Sequence, residues 1–360
     1  MENSFAVSDI EDKGIIENKL SQLESLLKPM GRVLIGYSGG VDSAMLAVAA
    51  YRVLGKNAIC VTADSESYAS GELERAKEIT SQFDIPHKII KTRELDNPEY
   101  AKNSPDRCYH CKSELFSHMT KIARDLDVNF ILYGQNADDV GDFRPGAKAA
   151  EETGVRAPLA EVAMTKKDVR ILAKRWGLSV WDRPAMACLS SRFPYGITVT
   201  EKGLEQIDRA EAFLKTHIGY NQVRSRHHND LARIEIPDSE LSELLDSPSS
   251  RKMTVKAMEE IGYLYSTIDL RGFRSGSMNE VLLRISEEND CSLGKYMQSI
   301  FHKNNFNSGC YEDREQLLYL RLSENDIRRL SKDKLRNQLI LDMEATKFRY
   351  IALDLDPLQT

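Results

Sequence analysis

The fold of this chain is decided by the stretch VLIGYSGGVDSAML, residues 33–46. Its apolar start predicts a strand over Arg32–Tyr37, and the apolar spacing that follows predicts a helix over Ser43–Leu54. Between them, Gly39 and Gly40 allow the backbone to turn sharply and to approach a ligand closely. The stretch therefore indicates a strand, a tight loop and a helix in direct succession.

The loop Ser38–Ser43 has the chemistry of an anion site. Its amide groups precede a helix N-terminus, whose partial positive charge favours a phosphate. Ser38 and Ser43 add hydroxyl donors, and Asp42 supplies a hard oxygen suited to Mg²⁺. No Gly-Lys-Ser/Thr sequence is present, so the loop is not a Walker loop. It is a phosphate-binding loop of another type.

Short strands and helices alternate around this loop. The predicted elements are a helix at 14–29, then after the loop helix a strand at Ala58–Thr62, a helix at Ser70–Phe83, a strand at His87–Lys91, a helix from Cys111 to Leu126 and a strand at Phe130–Tyr133. Such alternation implies parallel strands joined by right-handed crossovers. We expect an α/β fold with a doubly wound parallel sheet, whose ligand crevice lies at the carboxyl ends of the strands.

A second region begins at the turn-rich break 193–196 and contains an internal repeat. The segments 234–236 and 267–270 recur at 320–322 and 352–355, with an offset of 85 or 86 residues. One duplication of a small α+β module fits this spacing better than an array of solenoid repeats. The sequence predicts three domains: 1–192, 193–285 as an α+β substrate or oligomerisation domain, and 286–360 as an extra copy of that module.

Composition excludes several classes of protein. The 360 residues carry a net charge of −6 and are 41% hydrophobic, which is typical of a globular chain with a sizeable core. A broad nucleic-acid-binding face is not expected at this charge. No apolar run approaches the roughly 20 residues that span a bilayer, and the N-terminus lacks the features of a signal peptide. A cytoplasmic location without membrane contact is the expectation.

Three of the six cysteines are candidates for chemistry. Cys108 and Cys111 form a Cys-x-x-Cys pair at the start of a helix, where the dipole would stabilise thiolates, and Cys188 follows in a loop. Three thiolates can hold three corners of a [4Fe–4S] cluster and leave one iron open. With His110 they could instead complete a tetrahedral zinc site. The residues alone leave both alternatives open.

The loop Ser38–Ser43 resembles the pyrophosphate (PP) loop of the ATP pyrophosphatases, which cleave ATP to AMP and pyrophosphate and have the adenine nucleotide alpha hydrolase-like fold. Over residues 10–285 the chain is similar to one subgroup, the LarE-type ATP-dependent sulfur transferases of nickel-pincer nucleotide biosynthesis. The motifs that carry this resemblance are RCYHCK (107–112), YGQNADD (133–139), RPG (144–146), PAMACLSSR (184–192) and DLRGFRSGS (269–277).

The resemblance also implies roles for individual residues. Asp42 would help to hold Mg²⁺, Cys188 would be the catalytic thiol, and Cys108 and Cys111 would complete an iron–sulfur site. The residues implied in binding ATP or its metal are Ser38, Gly39, Gly40, Asp42, Ser43, Ala63, Asp64, Ser65, Gly134, Asn136 and Asp138. The arginines implied in binding the acceptor's phosphate or carboxylate are Arg144, Arg192, Arg224 and Arg226, with surface ion pairing as the alternative for Arg144 and Arg192.

The implied reaction is the adenylylation of a carboxylate on a pyridinium dicarboxylate mononucleotide, followed by sulfur insertion to give a thiocarboxylate. ATP, Mg²⁺ and a [4Fe–4S] cluster are the implied cofactors, and a homo-oligomer is the expected assembly. Some members of the family give up the sulfur of the Cys188-like residue instead. Two other functions stay open at this point: a tRNA-thiolating enzyme of the same superfamily, and an amide ligase that uses ammonia and needs no thiolates.

Overall fold

The computed structural model of the chain describes residues 3–140, 145–184, 188–274, 277–278, 293–306, 308–344 and 346–358. The chain divides into two compact units, Met1–Cys188 and Leu189–Thr360. Each unit has its own sheet.

The first unit is built from four strands and eight helices in its described residues. The strands are β1 (Val33–Gly36), β2 (Ala58–Asp64), β3 (His87–Lys91) and β4 (Phe130–Tyr133). The helices are α1 (Asn3–Leu27), α2 (Val41–Leu54), α3 (Glu72–Gln82), α4 (Pro98–Ala101), α5 (Arg107–Asp125), α6 (Pro145–Glu152), α7 (Pro158–Glu161) and α8 (Lys166–Arg175).

The four strands form a parallel sheet in the order β3-β2-β1-β4. The chain moves outward from β1 to β3 and then returns to place β4 on the other side of β1, so the strand order reverses between β1 and β4. Ligands of such sheets bind at that reversal, outside the carboxyl ends of the strands. The predicted parallel α/β sheet is confirmed.

Helices cover both faces of this sheet because its central strand is apolar on both sides. Val33 and Ile35 pack in one cluster with α2 and α8, whereas Leu34 packs in another with Phe116 and Met119 of α5. Side chains alternate across a strand, so a strand buried on both faces reads as a continuous apolar run. The buried sheet fixes the loop between β1 and α2 at its carboxyl edge.

The second unit is built on a six-stranded sheet in the order β5-β6-β7-β10-β9-β8. Its strands are β5 (Arg224–His228), β6 (Leu231–Glu235), β7 (Tyr265–Asp269), β8 (Gly309–Arg314), β9 (Leu317–Leu322) and β10 (Tyr350–Asp354). Its helices are α9 (Glu201–Phe213), α10 (Asp238–Asp246), α11 (Pro248–Ile261), α12 (Leu293–Lys303), α13 (Glu324–Arg329) and α14 (Asp333–Met343). The sheet is mixed, with both parallel and antiparallel pairs.

The repeat in the sequence corresponds to a repeated order of elements, β5-β6-α10-α11-β7 and β8-β9-α13-α14-β10. The two copies meet where β7 and β10 pair antiparallel, with Ile268 opposite its counterpart Leu353. Two ion pairs between the copies are also reciprocal. Arg251 of α11 binds Glu324 at 2.5 Å, and its counterpart Arg336 of α14 binds Asp238 at 2.6 Å. The second unit therefore has the contact pattern of a two-fold dimer within one chain.

One sheet joins strands that the sequence assigned to two domains, 193–285 and 286–360. The domain boundaries at 192 and 285 stay predictions. Among the described residues, no helix is long and apolar enough to cross a membrane. The expected cellular location likewise stays a prediction.

Candidate active site

The loop between β1 and α2 is held by its own serines. Ser43 is buried, and its Oγ accepts a hydrogen bond from the amide of Ser38 at 3.2 Å and donates one to the carbonyl of Gly40 at 3.0 Å. Gly39 has a φ of +73°, and a Cβ there would lie 3.3 Å from Ala76 of α3. A side chain at Gly39 would therefore be both strained and crowded. The first amides of α2 have no partner within the helix and are available to an anion.

A cleft of about 220 Å³ opens at this loop. Its lining contains the predicted residues Ser38, Gly39, Gly40, Asp42 and Gly134, together with Val41, Asp139, Lys166, Val180, Arg183 and Pro184. The cleft lies where β1 and β4 end, which is the reversal point of the sheet. The phosphate loop and the motif after β4 are thus brought together by adjacent parallel strands.

Gly134 lies against the backbone of the loop helix. A Cβ at Gly134 would lie 2.6 Å from the amide nitrogen of Ser43 and 3.0 Å from the carbonyl carbon of Asp42. Real Cβ contacts are essentially never shorter than 3.0 Å. Gly134 is therefore a packing requirement for the position of the loop.

Asp42 is held by two partners inside the cleft. Asn136 donates an Nδ2 hydrogen bond to Oδ1 at 3.1 Å, and the ammonium of Lys166 pairs with Oδ2. Asn136 caps the short turn 137–139 together with Asp139, and Asp138 accepts a hydrogen bond from the amide of Lys166 at 2.8 Å. Sequence reasoning missed Lys166. It belongs to no motif, and only its position at the start of α8 brings it to the loop.

The predicted adenosine residues lie at the carboxyl end of β2. Asp64 is the last residue of that strand, and its carbonyl accepts a hydrogen bond from the amide of Thr92 at 3.2 Å. Ser65 hydrogen-bonds Ser67 at 3.0 Å and also interacts with the buried carboxyl of Glu94. Ala63 and Asp64 pair in register with Ile90 and Lys91 of β3. These residues stand at the same edge of the sheet as the loop.

The three predicted thiols come together in the first unit. Cys108 and Cys111 lie in the first turns of α5, and both interact electrostatically with Cys188. Glu94, only 4% exposed, accepts a hydrogen bond from the Cys111 thiol at 3.9 Å and one from Thr92 at 3.0 Å. One carboxyl thus contacts both Ser65 and Cys111, although its other oxygen, Oε2, has no hydrogen-bond partner.

Desolvation acts against the thiolates that the helix dipole is expected to stabilise at Cys108 and Cys111. Burial raises the pKa of Cys111 far above that of a free thiol, and the Glu94 carboxylate raises it further. Burial also raises the pKa of Cys108, with a smaller contribution from Cys188, although Arg107 and Lys112 act in the opposite direction. Packing, which the sequence does not display, opposes the effect of the dipole here. Both thiols are protonated at neutral pH until a cation lowers their pKa.

Three thiols gathered in this way have the donor chemistry of an iron–sulfur site. Over the part of the chain that the structure describes, no group of three His, Cys, Asp or Glu side chains has the spacing that a single metal ion needs. His110 instead lies 3.6 Å from Asp106, which flanks the start of the helix. The spacing result applies equally to a zinc site completed by His110 and to an iron–sulfur site on the three thiols, so both alternatives stay predictions.

The predicted arginines occur in a buried charge network in the second unit. Arg192 forms a bidentate pair with Glu211, at 2.8 and 3.0 Å, and both side chains are 4% exposed. Arg226 pairs with Glu235 differently, since its Nε and Nη2 both donate to the single oxygen Oε2, at 2.9 and 2.6 Å. Arg192 is therefore ion-paired, as its alternative interpretation held, but the Arg192–Glu211 pair is buried and does not lie on the surface. Arg144 lies outside the described residues.

Arg224 adds a third guanidinium to this network. It donates a hydrogen bond to the carbonyl of Val223 at 2.9 Å. The pKa of Arg224 is lowered to about 10, chiefly by burial and also by the neighbouring charge of Arg192, while Glu211 acts in the opposite direction. A crowded, partly desolvated guanidinium of this kind is stabilised by an added anion. Binding of an acceptor phosphate or carboxylate by the arginines of the second unit stays a prediction.

Comparison with known proteins agrees with this geometry. The NAD synthase family matches residues 15–113, which contain the loop and the first three strands. An uncharacterised protein of Synechocystis sp. is 43% identical over 270 residues, which is 75% of this chain and 100% of that protein. A component of the glutamine-hydrolysing GMP synthase of Methanocella arvoryzae is 30% identical over 34% of this chain and 41% of its own.

A relative with an assigned function matches over a similar length. The pyridinium-3,5-bisthiocarboxylic acid mononucleotide synthase of Lactiplantibacillus plantarum is 35% identical over 270 residues, which is 75% of this chain and 96% of that protein. The loop, the cleft at the reversal of the sheet and the three neighbouring thiols are consistent with that likeness. The chain is therefore an enzyme of the PP-loop ATP pyrophosphatase superfamily and belongs to the LarE-like family of pyridinium-3,5-bisthiocarboxylic acid mononucleotide synthases.

Proposed function

We propose that this enzyme uses ATP to activate a carboxylate of a pyridinium mononucleotide and then replaces the activated oxygen by sulfur. In the first step a carboxylate oxygen attacks the α-phosphorus of ATP, which forms an acyl-adenylate and releases pyrophosphate. In the second step sulfide attacks the acyl carbon and AMP leaves with the bonding electron pair, which gives a thiocarboxylate. Both steps are substitutions, so neither needs an oxidant or a reductant.

The observation that carries the proposal is the double contact of Glu94. Its buried carboxyl interacts with Ser65, at the end of β2 beside the phosphate loop, and accepts a hydrogen bond from Cys111. A nucleotide held by the loop would therefore lie close to the thiols within the same unit. An ammonia-using ligase has no need for such a juxtaposition, and the GMP synthase component of Methanocella arvoryzae matches a smaller part of the chain than the thiocarboxylate-forming synthase does.

The chain supplies the binding and the electrostatics of the first step. The amides at the start of α2 and the hydroxyls of Ser38 and Ser43 would hold the departing pyrophosphate, since these donors are fixed before the substrate arrives. Asp42 and Asp139 line the cleft with the oxygen donors that Mg²⁺ prefers. Mg²⁺ bound there would neutralise charge on the phosphates.

The thiols of Cys108, Cys111 and Cys188 would be three ligands of a [4Fe–4S] cluster. Such a cluster would supply an iron with an open position, at which external sulfide is held as a nucleophile. In the second unit, Arg192, Arg224 and Arg226 are the groups that would bind the phosphate of the mononucleotide. Self-association of the chain stays a prediction, which light scattering in solution tests.

The decisive experiment is an anaerobic preparation assayed for iron, sulfide and visible absorption, followed by turnover with ATP, sulfide and the pyridinium dicarboxylate mononucleotide. We expect about four irons per chain, a broad visible absorption, and thiocarboxylate formed over many turnovers. If the protein instead contains no iron and loses about 34 mass units at Cys188, the mass of H₂S, then Cys188 itself donates the sulfur and the cluster mechanism is refuted.

Two variants separate the sulfur chemistry from adenylylation. Cys188→Ala should abolish thiocarboxylate formation while it leaves pyrophosphate release measurable. Cys310→Ala removes another exposed cysteine, in the second unit, and serves as the matched control with unchanged turnover. Full product formation by Cys188→Ala with ammonia in place of sulfide would refute the proposal in favour of an amide ligase. Salt-sensitive retention of tRNA, with thiolation of that tRNA, would refute it in favour of a tRNA-thiolating enzyme.

A further inference from the structure

Glu94 has a buried carboxyl with one oxygen that the described chain does not use. The residue begins the short turn 94–96 after β3 and is only 4% exposed. Its Oε1 accepts hydrogen bonds from Thr92 at 3.0 Å and from the Cys111 thiol at 3.9 Å, whereas the buried Oε2 has no partner among the described residues. A buried polar atom without a partner costs free energy. The free oxygen therefore indicates a ligand that comes from outside the chain.

The turn that carries Glu94 is tied to the helix that carries two of the thiols. The amide of Arg93 donates a hydrogen bond at 3.0 Å to Glu114, which lies in α5 one turn after Cys111. Glu94 and the other two thiols of the site all interact electrostatically with Cys111. The carboxyl is thus held beside the same three thiols that are the predicted ligands of an iron–sulfur cluster.

A carboxylate in this place has the chemistry of an exchangeable iron ligand. A [4Fe–4S] cluster held by three thiolates has one iron without a protein sulfur. Each ligand of such a cluster binds a different iron, so the four donors need not meet at one point. Carboxylate oxygen binds iron, but it is a harder donor than sulfur, and sulfide can therefore displace it.

We propose that Glu94 is the fourth protein ligand of the cluster and occupies the remaining iron until sulfide replaces it. In that exchange the bond between iron and the carboxylate oxygen breaks and a bond between iron and hydrosulfide forms, so no electron is transferred. The carboxylate returns to the iron after the sulfur has passed to the acyl carbon. The proposal rests on the cluster of the proposed function and adds a residue that retains the fourth iron between turnovers.

The first arm of the test measures how firmly the fourth iron is held in anaerobically prepared protein. Glu94→Gln keeps the size of the side chain and an oxygen for Thr92, but it removes the carboxylate. On mild oxidation with ferricyanide, a cluster that loses one iron becomes a [3Fe–4S] cluster, which electron paramagnetic resonance detects. We expect this conversion to be about 10-fold faster in Glu94→Gln than in wild type, as for the loss of a group that supports a metal site.

Glu114→Gln is the matched control, because it removes a half-buried carboxylate from the same helix surface. Its recorded hydrogen bond is to the amide of Arg93 and not to a thiol. This variant should lose iron at the wild-type rate. An equal acceleration in Glu114→Gln and Glu94→Gln would overturn the proposal, because a general change of charge near the thiols would then explain both.

The second arm measures sulfide binding without turnover. Sulfide is titrated into the dithionite-reduced protein, and the change in the electron paramagnetic resonance spectrum of the cluster gives its affinity. Sulfide should bind about 10-fold more tightly to Glu94→Gln than to wild type, because the competing carboxylate is gone. Equal sulfide affinities and equal rates of iron loss in the two iron-loaded proteins would overturn the ligand and leave the proposed function intact.

Two further outcomes are distinguishable from these. A wild-type protein without iron would overturn the ligand and the cluster together. Because Glu94 also interacts with Ser65, where adenosine is predicted, a hydroxyl of the nucleotide is the competing partner for Oε2. Calorimetry with ATP separates the two: the affinity of Glu94→Gln should stay within about 3-fold of wild type, and a larger loss with unchanged iron retention would assign Oε2 to the nucleotide instead.

Discussion

Replacing Gly134 by alanine tests whether the loop geometry controls catalysis. The added Cβ would lie 2.6 Å from the amide nitrogen of Ser43, 2.8 Å from its Cα and 3.0 Å from the carbonyl carbon of Asp42. All three atoms belong to the backbone, so no side-chain rotation relieves the contact. The strand end and the start of α2 must separate by about 0.8 Å to restore an ordinary contact distance in a close-packed interior.

The magnitude follows from that displacement. Overpacking of this kind destabilises a fold by about 1–3 kcal/mol. A shift approaching 1 Å in a positioning group costs about 100-fold in rate, since the phosphate would no longer meet the loop amides in line. We expect Gly134→Ala to lower kcat/KM for pyrophosphate release by about 30- to 100-fold. A coupled pyrophosphate assay and thermal unfolding measure the two effects.

Gly36→Ala is the matched control for this prediction. Gly36 ends the adjacent strand β1, and a Cβ there would meet its nearest atoms, the carbonyl oxygen of Leu132 and the sulfur of Met119, at 3.6 Å. These are ordinary contacts, so this variant should keep its activity within about 3-fold and its stability within about 1 kcal/mol. Wild-type kinetics for Gly134→Ala, or an equal loss in Gly36→Ala, would refute the reasoning from backbone contact.

Three further predictions concern buried charges and thiols. Arg192→Met should lower the free energy of unfolding, measured by chemical denaturation, by about 3–5 kcal/mol, because it leaves the carboxylate of Glu211 buried without its partner. Adding Glu211→Gln to that variant should restore part of the lost stability. In the metal-free protein, alkylation of Cys111 should be slow at pH 8 and should rise only above about pH 9, because burial raises the pKa of that thiol. The same thiol ionises first in the unfolded chain, so its contribution to the stability of the fold is complete below about pH 9 and declines at higher pH. Fast labelling of Cys111 at pH 7 would contradict the burial argument. Arg336→Met and Arg251→Met should each lower the free energy of unfolding by about 1–3 kcal/mol, because each guanidinium binds a carbonyl oxygen at the end of the preceding helix as well as its ion-pair partner. A large difference between the two losses would contradict their reciprocal placement.

Local sequence signals were sufficient to predict the strand, loop and helix that hold the candidate site. The apolar run before Ser38 and the helical spacing after Ser43 specify a strand and a helix, and the loop between them can only be short. The parallel sheet follows from the alternation of elements. The repeat of 85 or 86 residues was also readable, because equivalent strands keep their apolar pattern. The repeat could not indicate that its two copies share one sheet through the pairing of β7 with β10.

The parts of the site that depend on packing were not readable from the sequence. Lys166 comes to Asp42 only because α8 packs against α2, and no spacing along the chain records that contact. The pKa of Cys111 depends on the atoms around its sulfur and on Glu94, which is 17 residues away. The pairing of Arg192 with Glu211 likewise depends on how α9 lies against the turn before it. Sequence supplies candidates for such a site, and packing determines the ionisation and the partner of each.

The reciprocal halves of the second unit differ in charge where the arginines stand. Opposite Glu235 and Arg233 on β6, strand β5 carries Arg224 and Arg226, but at the matching positions of β8 the chain has Cys310 and Glu312. In an assembly of identical protomers, every substitution is duplicated by symmetry, so losing these arginines in one half would mean losing them in both. Covalent fusion lifts that constraint. One half can keep a buried arginine network as a candidate anion site while its twin evolves as a scaffold, and we expect one such ligand per chain.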